Sequence, residues 1–473
     1  MIPVHSYDGR RVVVLGLGRT GIAAAAALEA GGARVSSWDD VEATRQRAAE
    51  AGLTLDDPAT LNWDSIAALV LSPGIPLTHP EPHPVVKLAQ ASDVPVIGDV
   101  ELFAMALAEL PAAQRPKVIG ITGTNGKSTT TALIGHILRE TGRRTVVAGN
   151  IGEAILAPEP PRSGSYYVLE LSSFQLDLTR SLQCDVSVFL NFSPDHLDRH
   201  GDLKGYFAAK KRLFDMQGPA GKAVIGVDDP QTAALLTQLR QSRREEQVVP
   251  ISAGRVFARG VYALGDRVID ALDSASHPVV DLTRTPALPG RHNAQNAAAA
   301  LAVVRLLGVT GRAASDAMRS FPGLPHRQER VAVIDDIPFI NDSKATNGEA
   351  SVQALTCYDR IYWIVGGRAE AKSLDPTLPA LDRVAKAYLI GEAENVFAAV
   401  LDGKVPMERC GDLETAARHA ARDAKADAGQ YGRVVLFSPA AKSFDQFRDY
   451  EARGDAFREI AQSLTQVPEA VGE

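Results

Sequence analysis

The chain contains few cysteines and no long hydrophobic run. Only Cys184, Cys357 and Cys410 occur among 473 residues, and their wide separation excludes a disulfide framework or a zinc-binding cysteine motif. No apolar run reaches the roughly 20 residues that a membrane-spanning helix needs. The N-terminus leads into a predicted strand without a cleavable apolar segment. We therefore expect a protein of the reducing cytoplasm that does not associate with a membrane.

An excess of positive charge is also absent. The formal net charge is −7, which argues against a nucleic-acid partner. Hydrophobic residues make up 45% and charged residues 23% of the chain, proportions typical of globular proteins. At roughly 150 residues per domain, a chain of this length predicts three domains.

The most informative motif is the glycine-rich run IGITGTNGKST, at residues 119–129. It follows a predicted strand and opens into a predicted helix, Thr129–Glu140. Such a turn can cradle a triphosphate with its backbone N–H groups, while a lysine reaches the β- and γ-phosphates and a hydroxyl contacts Mg²⁺. Ile121 stands where a standard P-loop has its first glycine. The residues predicted to bind ATP here are Gly123, Thr124, Asn125, Gly126, Lys127, Ser128 and Thr129.

A second glycine motif lies near the N-terminus, where Gly16, Gly18 and Gly21 follow a β-branched strand. Asp39 and Asp40 come after the next strand, at the distance where a carboxylate can meet a ribose. Taken alone, this pattern is compatible with NAD or with the diphosphate of another nucleotide.

The spacing of strands and helices predicts an α/β protein with mostly parallel sheets. We expect three domains in series: an N-terminal Rossmann-like domain (1–110), a central P-loop ATPase-like domain (111–322) and a C-terminal Rossmann-like domain (323–473). The predicted strands are Ala33–Trp38, Ala67–Leu71, Val94–Ile97, Lys117–Thr122, Thr145–Val147, Tyr166–Leu171, Val186–Leu190, Ala223–Val227, Phe339–Ile340, Arg360–Val365, Ala387–Ile390 and Arg433–Phe437.

Polar residues gather directly after the central strands, where ligands bind in a doubly wound sheet. Glu170 follows one strand, and Asn191 precedes the cluster Asp195–Arg199. Beside a triphosphate, the Glu170 carboxylate suits Mg²⁺. The alternative is a solvated carboxylate at a strand end.

A lysine lies on the apolar face of a predicted helix, Leu203–Phe214. Lys210 recurs at helical spacing with Leu203, Tyr206, Phe207, Leu213 and Phe214. Burial lowers the pKa of a lysine, and a neutral amine can add CO₂ to form a carbamate that binds metal. Alternatively, the stem of Lys210 covers the core while its ammonium reaches water.

For polar residues at three further places, a ligand-binding role and a purely structural role are both compatible with the sequence. Asn296 and its neighbours at a helix start suit an adenine edge or simply cap the helix. Arg327 suits a transferring phosphoryl group or is an ordinary surface arginine. Ser443 and Gln446 form a capping-box pattern, which predicts a helix start that either binds a carboxylate or has no ligand.

These motifs together resemble the Mur ligases, and among them the D-glutamate-adding branch. The runs that carry the resemblance are GTNGKST (123–129), ELSSFQLD (170–177), NFSPDHLDRHG (191–201), AAKKR (208–212), GRHNAQNAAAA (290–300), GLPHR (323–327), NDSKATN (341–347) and SPAAKSFDQFRDYEARG (438–454). The Asp-Asn-Pro-Arg run typical of the diaminopimelate-adding branch does not occur in the sequence.

The resemblance implies a role for individual residues. It places the UDP-linked substrate at Arg19, Thr20, Asp39, Gly74, Asn150 and His196. It places ATP at the glycine-rich run with Asn296, Arg327 and Asp342, and D-glutamate at Thr346, Lys372, Ser443, Phe444 and Tyr450. The implied metal ligands are Ser128, Thr129, Glu170, His196 and a carbamylated Lys210, which together hold two Mg²⁺ ions. The implied catalytic residues are Lys127, His196, Lys210, Arg327 and Lys344.

The resemblance also implies a reaction, in which a monomeric enzyme uses ATP to join D-glutamate to UDP-N-acetylmuramoyl-L-alanine through an acyl phosphate. Because the implied residues come from more than one domain, domain closure is expected to assemble the site. Three alternatives compete with this interpretation: a folylpolyglutamate synthetase, an NAD-dependent dehydrogenase and a non-catalytic nucleotide-gated regulator. The first lacks an N-terminal nucleotide fold, the second leaves the GTNGKST run unexplained, and the third needs no acidic metal ligand.

Overall fold

The computed structural model describes residues 1–273, 276–369, 373–427 and 431–465. The chain forms two compact units, one containing residues 1–285 and 292–321 and the other containing residues 286–291 and the chain from Pro322 onward. Sheets of four and nine strands lie in the first unit, and a sheet of six strands lies in the second. The sheets are mostly parallel, which confirms the predicted fold class.

The four-stranded sheet is parallel throughout, with the order β2-β1-β3-β4. Its inner strands are apolar runs that are buried on both faces, as expected for a parallel sheet. The strands are β1 (Arg11–Leu15), β2 (Arg34–Trp38), β3 (Ile66–Leu71) and β4 (Val96–Ile97). The helices are α1 (Arg19–Ala30), α2 (Glu42–Glu50), α3 (Pro84–Ala91) and α4 (Asp99–Glu109).

The nine-stranded sheet has the order β13-β12-β11-β10-β9-β8-β5-β7-β6. Its strands are β5 (Lys117–Thr122), β6 (Thr145–Gly149), β7 (Tyr166–Glu170), β8 (Val186–Phe189), β9 (Lys222–Gly226), β10 (Val248–Ser252), β11 (Gly260–Leu264), β12 (Arg267–Ala271) and β13 (His277–Asp281). The helices are α5 (Lys127–Glu140), α6 (Ser173–Asp177), α7 (Leu197–His200), α8 (Leu203–Asp215), α9 (Pro230–Ser242), α10 (Arg291–Leu306) and α11 (Gly311–Arg319). Strand β12 pairs antiparallel with β11 and with β13, and all other neighbouring strands of this sheet pair parallel. Because β5 lies between β7 and β8, the carboxyl ends of these three strands meet at one edge.

The six-stranded sheet of the second unit has the order β14-β15-β19-β16-β17-β18, and only β14 pairs antiparallel. Its strands are β14 (Glu329–Ile334), β15 (Ile337–Asn341), β16 (Arg360–Gly366), β17 (Val384–Ile390), β18 (Met407–Gly411) and β19 (Arg433–Phe437). The helices are α12 (Gly348–Leu355), α13 (Glu394–Leu401), α14 (Leu413–Ala426) and α15 (Tyr450–Thr465).

Every predicted strand forms, with ends that differ by at most three residues. Six strands were not predicted: β10 to β13, β14 and β18. These are short and carry polar residues or a proline, as in the edge strand HPVVD of β13, so their local pattern is weak. Tight turns and neighbouring strands define them instead, such as the turn at Gly265 that joins β11 to β12.

Candidate active site

The turn between β5 and α5 is built on two glycines with backbone conformations that other residues rarely adopt. Gly123 has φ +155°, and Gly126, directly before α5, has φ +81°. A Cβ at Gly126 would lie 2.2 Å from Oδ1 of Asn296. The Lys127 ammonium donates to the carbonyls of Gly123 (3.0 Å) and Thr124 (2.8 Å). A helix N-terminus and an ammonium therefore meet at one turn, an arrangement that suits phosphate.

Side-chain amides from two other elements hold this turn in place. The Asn125 N–H donates to Oδ1 of Asn191, after β8, at 2.9 Å. The Asn191 amide in turn donates to Oε1 of Gln295, in α10, at 2.8 Å. Oδ1 of Asn296 accepts a hydrogen bond of 3.2 Å from the Thr130 hydroxyl. Asn296 therefore supports the start of α5, and its contact with a nucleotide stays a prediction.

Glu170 places a buried carboxylate at the carboxyl end of β7. Its side chain is 1% exposed, and Oε1 accepts a hydrogen bond of 3.0 Å from the Asn150 amide. Within the part of the chain that the structure describes, Oε2 is buried and has no hydrogen-bond partner. A buried carboxylate oxygen without a donor is costly unless a cation binds it. The orphaned oxygen therefore fits a Mg²⁺ ligand, as the sequence predicts.

Lys210 is buried, as its helical spacing predicts. The residue is 1% exposed, and its amine donates to the Gly123 carbonyl at 2.9 Å and lies 4.6 Å from the centre of the Tyr206 ring. Burial, and after it the charge of Lys127, hold the pKa of Lys210 well below its ordinary value. The predicted apolar face was wrong in one place, because Leu203 is 39% exposed. The first turn of α8 extends beyond the packed part of the helix.

His196 precedes α7 and stands beside a cluster of aromatic rings. Its backbone is left-handed, with φ +51°. Its ring lies 4.8 Å from that of Phe174 and 6.0 Å from that of Tyr206. Burial lowers the pKa of His196, although the Asp195 carboxylate opposes this shift. A neutral imidazole is the form that binds metal or accepts a proton.

The other glycine motif forms the turn between β1 and α1. A Cβ at Gly21 would lie 1.8 Å from the carbonyl oxygen of Gly16, so the helix packs directly on the turn. The Asp39 carboxylate accepts hydrogen bonds from the N–H groups of Leu17 (2.7 Å) and Val41 (2.9 Å). Asp39 therefore joins the turn after β1 to the turn after β2, and it is bound by backbone amides.

Three more residues predicted to bind the UDP-linked substrate, Arg19, Thr20 and Gly74, follow strands β1 and β3 at this edge of the first sheet. Arg19 starts α1 and donates to the Gly152 carbonyl at 2.8 Å, and the next residue, Thr20, is half-buried. Gly74 is exposed in the segment after β3. Oδ2 of Asp40 lies 2.9 Å from Nε2 of His83.

In the second unit, Asp342 follows β15 and is 6% exposed. Its carboxylate accepts hydrogen bonds from the Ser438 hydroxyl (2.7 Å) and the Gln328 N–H (3.2 Å). Burial raises the pKa of Asp342 to about 7, against the effect of these hydrogen bonds. Arg327 is exposed between two residues with left-handed backbone, His326 (φ +60°) and Gln328 (φ +44°).

Lys344 and Tyr450, predicted for different roles, contact each other. The Lys344 ammonium donates to the Tyr450 hydroxyl at 2.8 Å and lies 4.2 Å from the ring centre. Burial raises the pKa of Tyr450 to about 12. Thr346 is half-buried two residues after Lys344. The structure therefore brings Lys344 together with Tyr450 at the start of α15, and Thr346 lies two residues from this contact.

One local prediction in this unit was wrong, because no helix starts at Ser443. Its carbonyl accepts hydrogen bonds from the N–H groups of Gln446 and Phe447 in a turn, and the next helix, α15, begins at Tyr450. The Asp449 carboxylate accepts from the Ala452 N–H at 2.7 Å and caps that helix. Ser443 is 3% exposed, whereas the following Phe444 is 58% exposed. The predicted Lys372 lies outside the described residues.

A second group of possible ligands, Glu408, Cys410 and His419, joins β18 to α14 with ligand atoms within 4.8 Å of one another. The Glu408 carboxylate already accepts from His419 and from the Lys386 ammonium, each at 2.6 Å. Burial raises the pKa of the Cys410 thiol to about 12. An ion-paired carboxylate beside a protonated thiol is a poor metal site.

The described part of the chain includes no helix with the length and apolar character needed to cross a membrane.

Sequence reasoning missed the hydrogen bond that Gln295 accepts from Asn191 and those that Arg199 donates to the carbonyls of residues 73–75, because both join elements that are distant in sequence. No local pattern indicates them.

Comparison with known proteins gives consistent matches. The Mur ligase middle domain model matches residues 121–304. The UDP-N-acetylmuramoylalanine–D-glutamate ligase of Caulobacter sp. (strain K31) is 51% identical over 98% of each chain. UDP-N-acetylmuramate-alanine ligase MurC of Thermotoga maritima shares the fold, with a TM-score of 0.57 and 17% identity over 96% of this chain and 99% of that one. MurF ligase of Thermotoga maritima, solved in complex with ADP, has a TM-score of 0.54 and 19% identity over 84% and 89%.

The resemblance found in the motifs is thereby confirmed across nearly the whole length of the sequence. The level of identity to the Caulobacter enzyme is far above what a shared fold alone explains, and the glycine-rich turn falls within the matched middle domain. The chain belongs to the UDP-N-acetylmuramoylalanine–D-glutamate ligases, a branch of the Mur ligase family.

Proposed function

We propose that the chain joins D-glutamate to the alanyl carboxylate of UDP-N-acetylmuramoyl-L-alanine in peptidoglycan precursor synthesis, with ATP converted to ADP and phosphate. The geometry that carries this proposal is the turn after β5, where Lys127, the buried Lys210 and the unpartnered oxygen of Glu170 lie at one sheet edge. The choice of substrates is supported by the name of the full-length relative.

The proposed domains are 1–110 for the UDP-linked substrate, 111–322 for ATP and 323–473 for the amino acid. Each contains one of the three sheets. Their glycine-rich or polar segments follow the carboxyl ends of strands, where α/β proteins bind ligands.

ATP is proposed to bind at the turn after β5. The phosphates would contact the segment Gly123–Thr129, and Asn296, Arg327 and Asp342 would contact the rest of the nucleotide. The support is the N-terminus of α5, which offers N–H groups and a favourable dipole to an anion. The ammonium of Lys127 adds a cation at the same turn.

Two Mg²⁺ ions are proposed beside the phosphates. Ser128, Thr129 and Glu170 would hold one, and His196 and a carbamylated Lys210 would hold the other. When bound, Mg²⁺ offsets negative charge on the phosphoryl groups during transfer. The orphaned Glu170 oxygen and the lowered pKa of His196 support these assignments.

Carbamylation of Lys210 requires a neutral amine. The nitrogen lone pair attacks the carbon of CO₂, a proton is released, and a carbamate anion results. Burial, and after it the charge of Lys127, hold the pKa of Lys210 well below its ordinary value, which favours this neutral form. The carbamate would replace an amine by anionic oxygens beside Lys127.

The proposed reaction begins when the alanyl carboxylate attacks the γ-phosphorus in line, forming an acyl phosphate and releasing ADP. Lys127 and Arg327 offset charge on the transferring group. The D-glutamate amine then attacks the acyl carbon, phosphate leaves, and the amine proton passes to His196 or to water. Lys344 would complete the catalytic set.

The substrates are assigned to two groups of residues. The UDP-linked substrate would be held by Arg19, Thr20, Asp39, Gly74, Asn150 and His196. D-glutamate would be held by Thr346, Lys372, Ser443, Phe444 and Tyr450. The contact between Lys344 and Tyr450 supports a cationic site for a carboxylate in this segment.

We further propose a cytoplasmic monomer without a nucleic-acid partner. The net charge of −7 and the three cysteines support this assignment. Light scattering on the purified chain tests the monomer, since a mass near 50.4 kDa is expected.

The function is tested by phosphate release from ATP with UDP-N-acetylmuramoyl-L-alanine and one of D-glutamate, L-glutamate, meso-diaminopimelate or no amino acid. Release with D-glutamate alone, together with a product heavier by one glutamyl residue, is the expected result. Release with a different amino acid would overturn the substrate assignment. Binding of ATP without release under any condition would favour a nucleotide-gated regulator.

A further inference from the structure

Arg199 lies in α7, three residues after His196, and its guanidinium contacts a distant segment of the chain. It donates to three consecutive carbonyls after β3: Gly74 at 2.9 Å, Ile75 at 3.0 Å and Pro73 at 3.3 Å. These residues belong to the segment Ser72–Ile75, which contains the proposed substrate contact Gly74. One planar side chain therefore contacts three of the four residues of this segment.

The same guanidinium packs on the aromatic cluster beside His196. Its Cζ lies 4.5 Å from the centre of the Phe174 ring. The Phe174 ring lies 4.8 Å from His196 and stacks on His200 at 5.4 Å. Nε2 of His200 is 2.9 Å from the Ser173 hydroxyl, which fixes that ring. Arg199 therefore packs on the same ring that contacts His196.

On its other side, the segment Ser72–Ile75 contacts the first glycine turn. The Ser72 hydroxyl donates to the Gly16 carbonyl at 2.8 Å, and the Ser72 N–H donates to the Leu15 carbonyl at 2.9 Å. A continuous path of contacts thus runs from the first glycine turn through Ser72–Ile75 and Arg199 to Phe174 and His196.

We infer that Arg199 is a positioning residue that fixes the segment Ser72–Ile75 relative to His196. A substrate that binds with its nucleotide at the first sheet and its carboxylate near His196 must span the distance between these two places. Arg199 fixes that distance by joining the segment Ser72–Ile75 to the ring that contacts His196. This inference rests on the proposed function. The guanidinium suits this position better than an ammonium, because its rigid planar fork can donate to neighbouring carbonyls and lie flat on a ring at the same time.

The test compares Arg199→Gln and Arg199→Lys with a matched control, Arg212→Gln. Arg212 also donates to backbone carbonyls, those of Leu176 and Thr179, but it does not contact Ser72–Ile75. For each variant we would measure the melting temperature, kcat, KM for ATP and KM for UDP-N-acetylmuramoyl-L-alanine. Hydrogen exchange of the peptide containing residues 72–75 gives a readout independent of activity.

Both Arg199 variants should raise KM for the UDP-linked substrate at least tenfold, keep KM for ATP within twofold and speed hydrogen exchange at residues 72–75. Arg212→Gln should lower the melting temperature without these changes. An unchanged KM and unchanged exchange in Arg199→Gln, or the same changes in Arg212→Gln, would overturn the inference. If the unmodified chain shows no turnover, the proposed function fails, and the exchange measurement still decides the role of Arg199.

Discussion

Two glycine-rich turns of the first unit are similar in sequence pattern and differ in their surroundings. Each follows a buried strand and precedes a helix, at Gly16–Gly21 and at Gly123–Lys127. At the first, the Asp39 carboxylate accepts a hydrogen bond from the Leu17 N–H at 2.7 Å. At the second, the ammonium of Lys127 crosses the turn, and a buried amine and carboxylate from other elements lie beside it.

Glycine spacing therefore defines the backbone of a nucleotide site but not its chemistry. The second turn gains its chemistry from Lys210 in α8 and Glu170 at the end of β7, both 1% exposed. Beside the first turn lies the carboxylate of Asp39, which follows β2. A carboxylate suits the hydroxyls of a ribose or the N–H of a neighbouring amide. Substitutions at Lys127, Gly126 and Asp39 test this contrast, and a substitution at Asp99, which lies outside both turns, tests a separate effect on stability.

Lys127→Ala should lower kcat at least 10³-fold, because the cation at the phosphate turn acts on charge that develops during transfer. The measurement is steady-state phosphate release. The affinity for UDP-N-acetylmuramoyl-L-alanine should stay within twofold, as judged by calorimetry. A variant that retains a tenth of the activity would contradict the role of this turn.

Gly126→Ala should weaken ATP binding at least tenfold, whereas Gly18→Ala should leave it unchanged. A Cβ at Gly126 would lie 2.2 Å from Oδ1 of Asn296, and Gly126 has φ +81°; a Cβ at Gly18 would have no atom of the described residues within 4 Å. Titration with a fluorescent ATP analogue measures the affinity of each variant for ATP, and the melting temperature of each variant controls for folding. Equal behaviour of the two variants would mean that the turn tolerates a side chain at either place.

Much of this contrast is predictable from the sequence. Strand β5 was predicted with its observed ends, and the spacing of Lys210 with Tyr206 and Leu213 on α8 predicts its burial. Glu170 is placed at the sheet edge simply because it ends a strand. These features depend on periodicities of two and 3.6 residues, which the sequence displays directly.

Other features depend on tertiary contacts that no local pattern contains. The hydrogen bond from Asn191 to Gln295 joins residues 104 positions apart. At Ser443 the local pattern was misleading, because Asp449 caps the helix instead. The left-handed backbone of Ala440, with φ +52°, turns the chain just before this point. The chain therefore forms a longer turn at Ser443, although the local pattern there predicts a helix cap.

Asp39→Ala should raise KM for the UDP-linked substrate about tenfold, with kcat and KM for ATP nearly unchanged. Loss of the carboxylate frees the Leu17 and Val41 N–H groups and loosens the first turn. Steady-state kinetics at saturating ATP measure the effect. A larger effect on ATP than on the UDP-linked substrate would contradict the assignment of the two turns.

Asp99→Asn should change stability without changing turnover. Asp99 starts α4, is 4% exposed and leaves Oδ2 without a partner among the described residues. Burial raises the pKa of Asp99 from 3.8 to about 6. The folded protein therefore holds this proton more tightly than the unfolded chain, so ionised Asp99 destabilises the fold by about 3 kcal/mol above pH 6.

The gain in stability from Asp99→Asn should thus be largest near pH 8 and fade as the pH falls from 6 to 4. Urea unfolding at both ends of this range measures it. Phosphate release serves as the control, because Asp99 lies outside both turns. A gain that does not vary with pH would show that ionisation of Asp99 is not its cause.

Calorimetric binding of an ATP analogue and of UDP-N-acetylmuramoyl-L-alanine, each alone, to Lys127→Ala and Asp39→Ala tests most sharply whether each glycine turn binds its own nucleotide. We expect Lys127→Ala to lose affinity for the analogue and keep its affinity for the UDP-linked substrate, whereas Asp39→Ala should bind the analogue normally and the UDP-linked substrate about tenfold more weakly. Loss of both ligands in both properly folded variants would contradict the assignment of a separate nucleotide to each glycine turn.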